Sequence, residues 1–328
     1  MNTTPLGVLV MTTTPPEEVG PTAALVEELG FGELWVAEDY FMYGGFAASA
    51  AALQATHRIS VNLGLIAAVA RHPAVSAMEI ASLARTYPGR FVPGIGHGVP
   101  VWTDQMGITA RSPLSALDEC VSGIRKLLRG ETLDDEGKQF TFRSVALAHP
   151  APDDIPLLTG VVGPKSLELS GKIAEGTIVS VLAGPTYVRA ALEHIRKGMR
   201  AANRTEHQVP VFALSSVAED GAAAREAVRP ALAMYLTALG PHNPLSGALG
   251  WNDKLKELIE GGVDELAKNM PDEWVEEMAI AGNPDEVTDK VRNLLDAGAT
   301  SVVLAPVNPG GATDELKLVA DKVLPRLS

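Results

Sequence analysis

Eight short, almost unbroken apolar runs punctuate this chain, and they restrict its fold more than any other feature. They span 6–11, 33–38, 59–65, 91–96, 156–160, 177–182, 209–215 and 301–305. A strand with one face in water alternates polar and apolar residues. A nearly continuous apolar strand has both faces covered, as in a parallel sheet packed under helices. Helical patterns lie between the runs. Ser112-Pro113 reads as a cap followed by a first-turn proline. Leu114, Leu117, Cys120, Val121, Ile124, Leu127 and Leu128 then form one stripe at three- and four-residue steps. Asn283-Pro284-Asp285-Glu286 starts another helix, Val287, Val291, Leu294 and Leu295 give its apolar face, and Gly298 ends it.

Eight strands, each followed by helical sequence, predict a (β/α)8 TIM barrel, a fold of about 250 residues before insertions. The chain has 328 residues. The surplus falls at 130–150, a polar hairpin-like segment, and at 240–282, which reads as extra helices. A doubly wound open sheet is the competing architecture. With no linker, repeat or low-complexity tract, residues 1–328 are expected to form a single barrel domain.

Composition removes several classes of function. Apolar residues make up 46% and charged residues 20%, a globular balance. The longest apolar stretch, 59–70, is broken by Asn62 and Gly64 and is shorter than the roughly 20 residues of a spanning helix. No basic, signal-like segment opens the sequence, so a cytoplasmic protein is expected. Against 27 basic residues stand 40 acidic ones, a net charge of −13, which argues against nucleic-acid and membrane partners. The one cysteine, Cys120, sits in a helical core stripe. No Cys/His cluster or His-x-x-x-His pair suggests a metal, and no Gly-x-Ser-x-Gly elbow is present.

A barrel builds its active site at the carboxyl ends of its strands. After the second run come Glu38-Asp39-Tyr40-Phe41, two acids beside two aromatics, which suit proton transfer next to a stacking surface. The alternative is structural: Asp39 bonding a loop and Glu38 paired with a buried arginine. After the third run, Gly64 marks a bulge or a close backbone approach, and Arg71-His72 precede a helix opened by Pro73. The fourth run ends Gly94-Ile95-Gly96-His97-Gly98, where alternate glycines bring backbone close to a flat or phosphorylated ligand. It is not a dinucleotide fingerprint, because no helix is expected directly after the glycines. After the fifth run, Gly160-Val161-Val162-Gly163-Pro164-Lys165-Ser166 leads from strand through a glycine turn into a helix. That is an anion site made of free N–H groups with Lys165 adding charge, or simply a tight turn.

Taken together, these segments resemble the luciferase-like monooxygenase superfamily, especially its methylenetetrahydromethanopterin reductase-like branch. The likeness runs nearly end to end. It rests on 28–39 (Glu-Leu-Gly-Phe-Gly-Glu-Leu-Trp-Val-Ala-Glu-Asp), Leu63-Gly64-Leu65, Arg71-His72-Pro73-Ala74, and 88–96 (Pro-Gly-Arg-Phe-Val-Pro-Gly-Ile-Gly). Gly163-Pro164-Lys165-Ser166, Ala174-Glu175-Gly176 and 281–287 continue it. The resemblance implies a barrel, often homodimeric, that binds coenzyme F420 or FMN at its carboxyl end. It places a non-prolyl cis peptide at Gly64-Leu65, with His97 and Gly98 beside the cofactor ring. It also places Val162, Gly163, Pro164 and Lys165 at the cofactor phosphate, and Ser180 in contact with the cofactor. Two departures stand out. Many deazaflavin-dependent relatives carry Asp-His where this chain has Asp39-Tyr40. The sugar-phosphate dehydrogenases carry a glutamate at the position of Val99.

The expected function is therefore a flavin- or coenzyme F420-dependent oxidoreductase, F420 ranked ahead of FMN, that moves a hydride to or from a small organic substrate. Glu38, Asp39, Tyr40 and His97 are the expected polar groups at the reacting face, with Phe41 and Trp102 as walls and 240–282 as a lid. The alternatives are a two-component FMN monooxygenase fed by a separate reductase, a non-catalytic flavin-binding barrel, and a phosphate-binding isomerase or lyase without flavin.

Overall fold

The computed structural model describes residues 4–308 and 311–327, and within it every strand of the central sheet runs parallel to its neighbours. The strands are β1 (Leu6–Val10), β2 (Glu33–Val36), β3 (Ser60–Ala67), β4 (Phe91–Gly96), β5 (Leu158–Gly160), β6 (Gly176–Ile178), β7 (Pro210–Val217), β8 (Ala279–Gly282) and β9 (Ser301–Pro306). Their spatial order is β6-β5-β4-β3-β2-β1-β9-β7-β8. Bridges Gly176↔Gln208 and Val179↔Val211 join β6 to the first half of β7 and close the ring. Thr177 N–H donates to Gln208 O at 2.8 Å and Phe212 N–H to Val179 O at 2.9 Å across this seam. The barrel thus consists of β1 to β7 and β9.

β8 is a ninth strand that the sequence pattern does not announce. Its Ala-Ile-Ala-Gly run pairs only with Leu214–Val217 of β7, on the edge that faces β6. Four residues are too few to show a period, and they follow the helix Asp272–Met278 without a break, so 240–282 reads as wholly helical. The rest of the barrel follows the apolar runs because its strands are covered on both sides. All five residues of β1 and all eight of β7 are buried.

The surplus segments attach by different means. In 130–150, Leu133 and Val145 exchange backbone hydrogen bonds at 2.8 Å, and Phe140 and Phe142 are buried beneath the hairpin. Between β7 and β8, the long helix Gly221–Leu239 is followed by the helices Pro244–Gly247, Asn252–Ile259, Val263–Asn269 and Asp272–Met278. Trp251 stacks on Trp274 with centroids 5.1 Å apart, and buried Arg229 donates to Met270 O at 2.6 Å and pairs with Asp272.

Helix starts are only partly as expected. Asn283 and Glu286 form the full capping box, and Gly298 takes a φ of 109° past the helix end. Ser112 occupies its cap position, but its side chain makes no capping bond. Contrary to expectation, a short helix, Pro100–Gln105, does open just after the glycines of β4. The Val99-Pro100 pair sets it up, since proline is pre-shaped for a first helical turn and keeps the residue before it extended.

Candidate active site at the barrel mouth

Parallel strands point their carboxyl ends the same way, so the loops after β2, β3, β4, β5 and β6 meet at one mouth. There they surround a cavity of about 340 Å³. Glu38, Asp39 and Tyr40 line it from the loop after β2, Gly64 and Leu65 from β3, and His97, Gly98 and Trp102 from beyond β4. Val162 follows β5 and Ser180 follows β6. Gly163, Pro164 and Lys165 do not line the cavity, and neither does Phe41. Phe41 takes a φ of 71° and stands 68% exposed, because the left-handed turn directs it outward.

The cavity floor depends on a bulge in β3. The Gly64-Leu65 peptide is cis, and the β3–β4 register shifts between Leu63 and Ile66. Gly64 lies on the edge-to-face pair Trp35–Phe212, whose ring centroids are 5.1 Å apart. A Cβ at Gly64 would come within 2.9 Å of Phe212 and 3.0 Å of Trp35. Gly98 lines the cavity, and Gly96 has a packing task beside it. A Cβ on Gly96 would meet Leu65 Cδ2 and Gly160 O, both at 2.7 Å, and one on Gly160 would run into Leu65 Cδ2. These glycines clear room for the Leu65 side chain, and Leu65 in turn faces the cavity.

The acids divide sharply. Glu38 is buried, and its two oxygens accept from Arg71 Nη1 and Nη2 at 2.6 Å each, while Gly45 N–H donates to Oε2 at 2.8 Å. This is the structural alternative, and it removes Glu38 as a free acid or base. Arg71 also sits over the Phe46 ring at 5.4 Å. His72 starts the helix Pro73–Thr86, accepting from Ala74 N–H at 3.2 Å. Asp39 keeps one oxygen on the Thr12 hydroxyl at 2.7 Å, and burial lifts its carboxyl above the ordinary range. The Tyr40 hydroxyl is buried beside the Ala67 backbone without a well-formed hydrogen bond. Burial and the Glu38 charge push this phenol upward. His97 Nε2 lies 3.0 Å from Ser166 Oγ, and burial lowers its pKa, so the imidazole is neutral at neutral pH.

The turn after β5 opens the helix Pro164–Ile173 with no side-chain cap, which leaves first-turn N–H groups free. Pro164 has no N–H and serves only to shape the helix start. The Lys165 side chain is exposed and lines a shallow outer dent with Asp118, Glu168 and Lys172. It therefore adds little charge at the mouth. Tyr187 donates to Val162 O at 2.6 Å and pins the turn. Tyr235 and Leu239, from the helix after β7, complete the cavity. No local pattern marks these two, because only the closed barrel brings that helix back over the mouth. Among the described residues no group of acids, histidines or cysteines is arranged to hold a metal, and no helix is long and apolar enough to cross a membrane.

A closed parallel barrel with a cavity at its carboxyl end and an uncapped helix start beside it defines a ligand-binding (β/α)8 protein. Residues 3–301 match the luciferase-like monooxygenase family, and the chain belongs to it. It is 27% identical to the 5,10-methylenetetrahydromethanopterin reductase of Methanolobus tindarius, over 97% of this chain and 99% of that one. It is 28% identical to the F420-dependent glucose-6-phosphate dehydrogenase of Nakamurella multipartita, over 95% and 93%. The structure of the coenzyme F420-dependent tetrahydromethanopterin reductase of Methanopyrus kandleri superposes with a TM-score of 0.86 at 25% identity, covering 99% of this chain and all of that one.

Proposed function

We propose that the protein is an oxidoreductase that uses coenzyme F420, with FMN as the alternative cofactor, to move a hydride to or from a small organic substrate. One observation carries the reading. The uncapped start of the helix Pro164–Ile173 adjoins a cavity whose backbone is cleared by Gly96 and Gly160 around Leu65. An anion at the helix start and a flat ring over Leu65 fit that pairing. The names of the reductase and dehydrogenase relatives support F420 ahead of FMN.

In this reading the main-chain N–H groups of Val162, Gly163, Lys165 and Ser166 hold the phosphate, and Gly64, Leu65, Gly98 and Ser180 bound the ring. When bound, such a ring supplies the hydride donor or acceptor. The chain supplies the rest. Neutral His97, held by Ser166, offers a hydrogen bond without adding charge. The Tyr40 hydroxyl, which makes no well-formed hydrogen bond, donates to a substrate oxygen on which negative charge develops. Asp39 orients that oxygen or takes its proton. Glu38 is a positioning residue that fixes Arg71 and the Gly45 turn. The Gly221–Leu239 helix and the helices after it exclude water. A second copy of the chain as partner, a separate reductase and a cytoplasmic site of action belong to the same proposal.

Parallel titration of the purified protein with coenzyme F420 and with FMN, followed by fluorescence, tests it. Tight F420 binding with reduction or oxidation of the cofactor by an organic substrate is expected. Tight binding of FMN alone would redirect the reading to oxygen-dependent chemistry. Binding of either without turnover on any substrate would favour a ligand-binding barrel. Binding of neither would remove the cofactor reading.

A further inference from the structure

Beyond the Leu65 surface the cavity has a lining chemistry of its own. Asp39, Tyr40 and Tyr235 bring polar groups to it. Asp39 has one oxygen committed to Thr12, and the Tyr40 hydroxyl has no well-formed partner. Tyr235 lines the same cavity as Asp39, and burial, with the Asp39 charge second, pushes its phenol up. Trp102 stands edge-on to Tyr40 with ring centroids 6.2 Å apart, and Val99 and Leu239 add apolar carbon to the lining. Val99 and Leu239 are 42% and 43% exposed, although both line the cavity.

Among the described residues no lysine or arginine lines this cavity. Of the two cations that follow lining residues closely in sequence, Arg71 has both terminal nitrogens on Glu38, and Lys165 faces the outer surface. An anionic substrate head would lose its water with no counter-charge and would meet a carboxylate. A hydroxyl or carbonyl would find donors in Tyr40 and Tyr235 and an acceptor in Asp39, and apolar carbon would cover Val99 and Leu239.

We propose that the substrate is an uncharged, predominantly apolar molecule with one hydroxyl or carbonyl group, and that Tyr235 and Leu239 on the helix after β7 select it. This rests on the reading above in one respect, that the Leu65 surface belongs to the cofactor. Among the relatives, a sugar-phosphate dehydrogenase needs a site for an anion, and no cationic side chain among the described residues lines this cavity.

The test uses two probes of equal size, cyclohexylmethanol and cyclohexanecarboxylate. Each is titrated into the F420-loaded protein by calorimetry, with the bound cofactor's fluorescence as a second readout. At neutral pH the alcohol is expected to bind at least about tenfold more tightly than the carboxylate, the difference made by one unpaired charge. Leu239→Arg, at a half-exposed position that tolerates a long side chain, should strengthen carboxylate binding about tenfold and erase that preference. Tyr235→Phe should weaken the alcohol about threefold to tenfold. A carboxylate that binds wild-type protein as tightly as the alcohol overturns the proposal, and so does binding of neither probe. If F420 itself fails to bind, the cofactor reading falls instead, and the same titrations on the cofactor-free protein still decide between the probes.

Discussion

Glu38 and Tyr40 stand two positions apart and carry opposite obligations. Buried polar groups are nearly always hydrogen-bonded, so an orphaned hydroxyl at a cavity wall is a group held ready for a ligand. The Tyr40 hydroxyl has only the Ala67 backbone beside it and no well-formed bond, while both carboxylate oxygens of Glu38 are in use. Tyr40→Phe should therefore leave the melting temperature unchanged or slightly higher and lower kcat by about 100-fold, the scale of a lost donor to developing charge. Glu38→Gln should do the reverse and destabilise the fold by about 2–3 kcal/mol, because Arg71 loses its bidentate partner and is left with Glu79 at 3.7 Å. Arg71 is 26% exposed, which keeps the cost below that of a fully buried pair. Thermal melts beside steady-state kinetics separate the two. A Glu38→Gln protein with a normal melt and lost turnover would return Glu38 to proton transfer.

Elements decide whether such residues meet. Leu65 reaches the cavity because the β3 bulge turns it and because Gly96 and Gly160 on the next two strands have no side chain to oppose it. Gly160→Ala should displace Leu65 and weaken cofactor binding about tenfold, and Leu65→Ala in the same chain should restore most of that loss. A double-mutant cycle read by cofactor titration checks this, and simple additivity would sink it. The same elements explain what the sequence reveals. Strands covered on both faces write themselves as apolar runs, so eight of nine are legible. The fifth-strand turn is legible because Gly163-Pro164 can hardly be anything but a helix start. The direction of Lys165 is not, since helical rotation in the first turn decides it after the turn is set. Phe41 is misread for a related reason: a left-handed φ reverses which neighbour points inward. Tyr235 and Leu239 leave no local signal at all, because they share a cavity with Asp39 only after barrel closure.

For the molecule as a whole, pH pulls stability in two directions. Burial alone would raise Glu175, but Arg125, the Leu157 N–H and Arg204 outweigh it and hold its carboxyl below the ordinary range. Its contribution is present above the unfolded value and is lost as pH falls. Glu315 is the opposite case. It lies 6% exposed on the helix Ala312–Lys322, accepts from the Ser215 hydroxyl of β7 at 2.8 Å, and is pushed up to about 7 by burial, which outweighs bonds to Ser215 and the Val217 backbone. A carboxyl whose folded pKa exceeds its unfolded one contributes fully below the unfolded value, 4.5 for glutamate. That contribution is lost as pH rises through the folded value. The acidic surface, at −13, adds repulsion in the same direction as more carboxyls ionise. Denaturant unfolding across about pH 5 to pH 8 should show wild-type stability declining toward the alkaline side. Glu315→Gln removes the titration while keeping the Ser215 contact, and should flatten the profile. The variant should gain up to about 3 kcal/mol on wild type near the top of that range and nothing near the bottom. Parallel profiles for the two proteins would mean that Glu315 is ionised throughout, with its charge already compensated inside the fold.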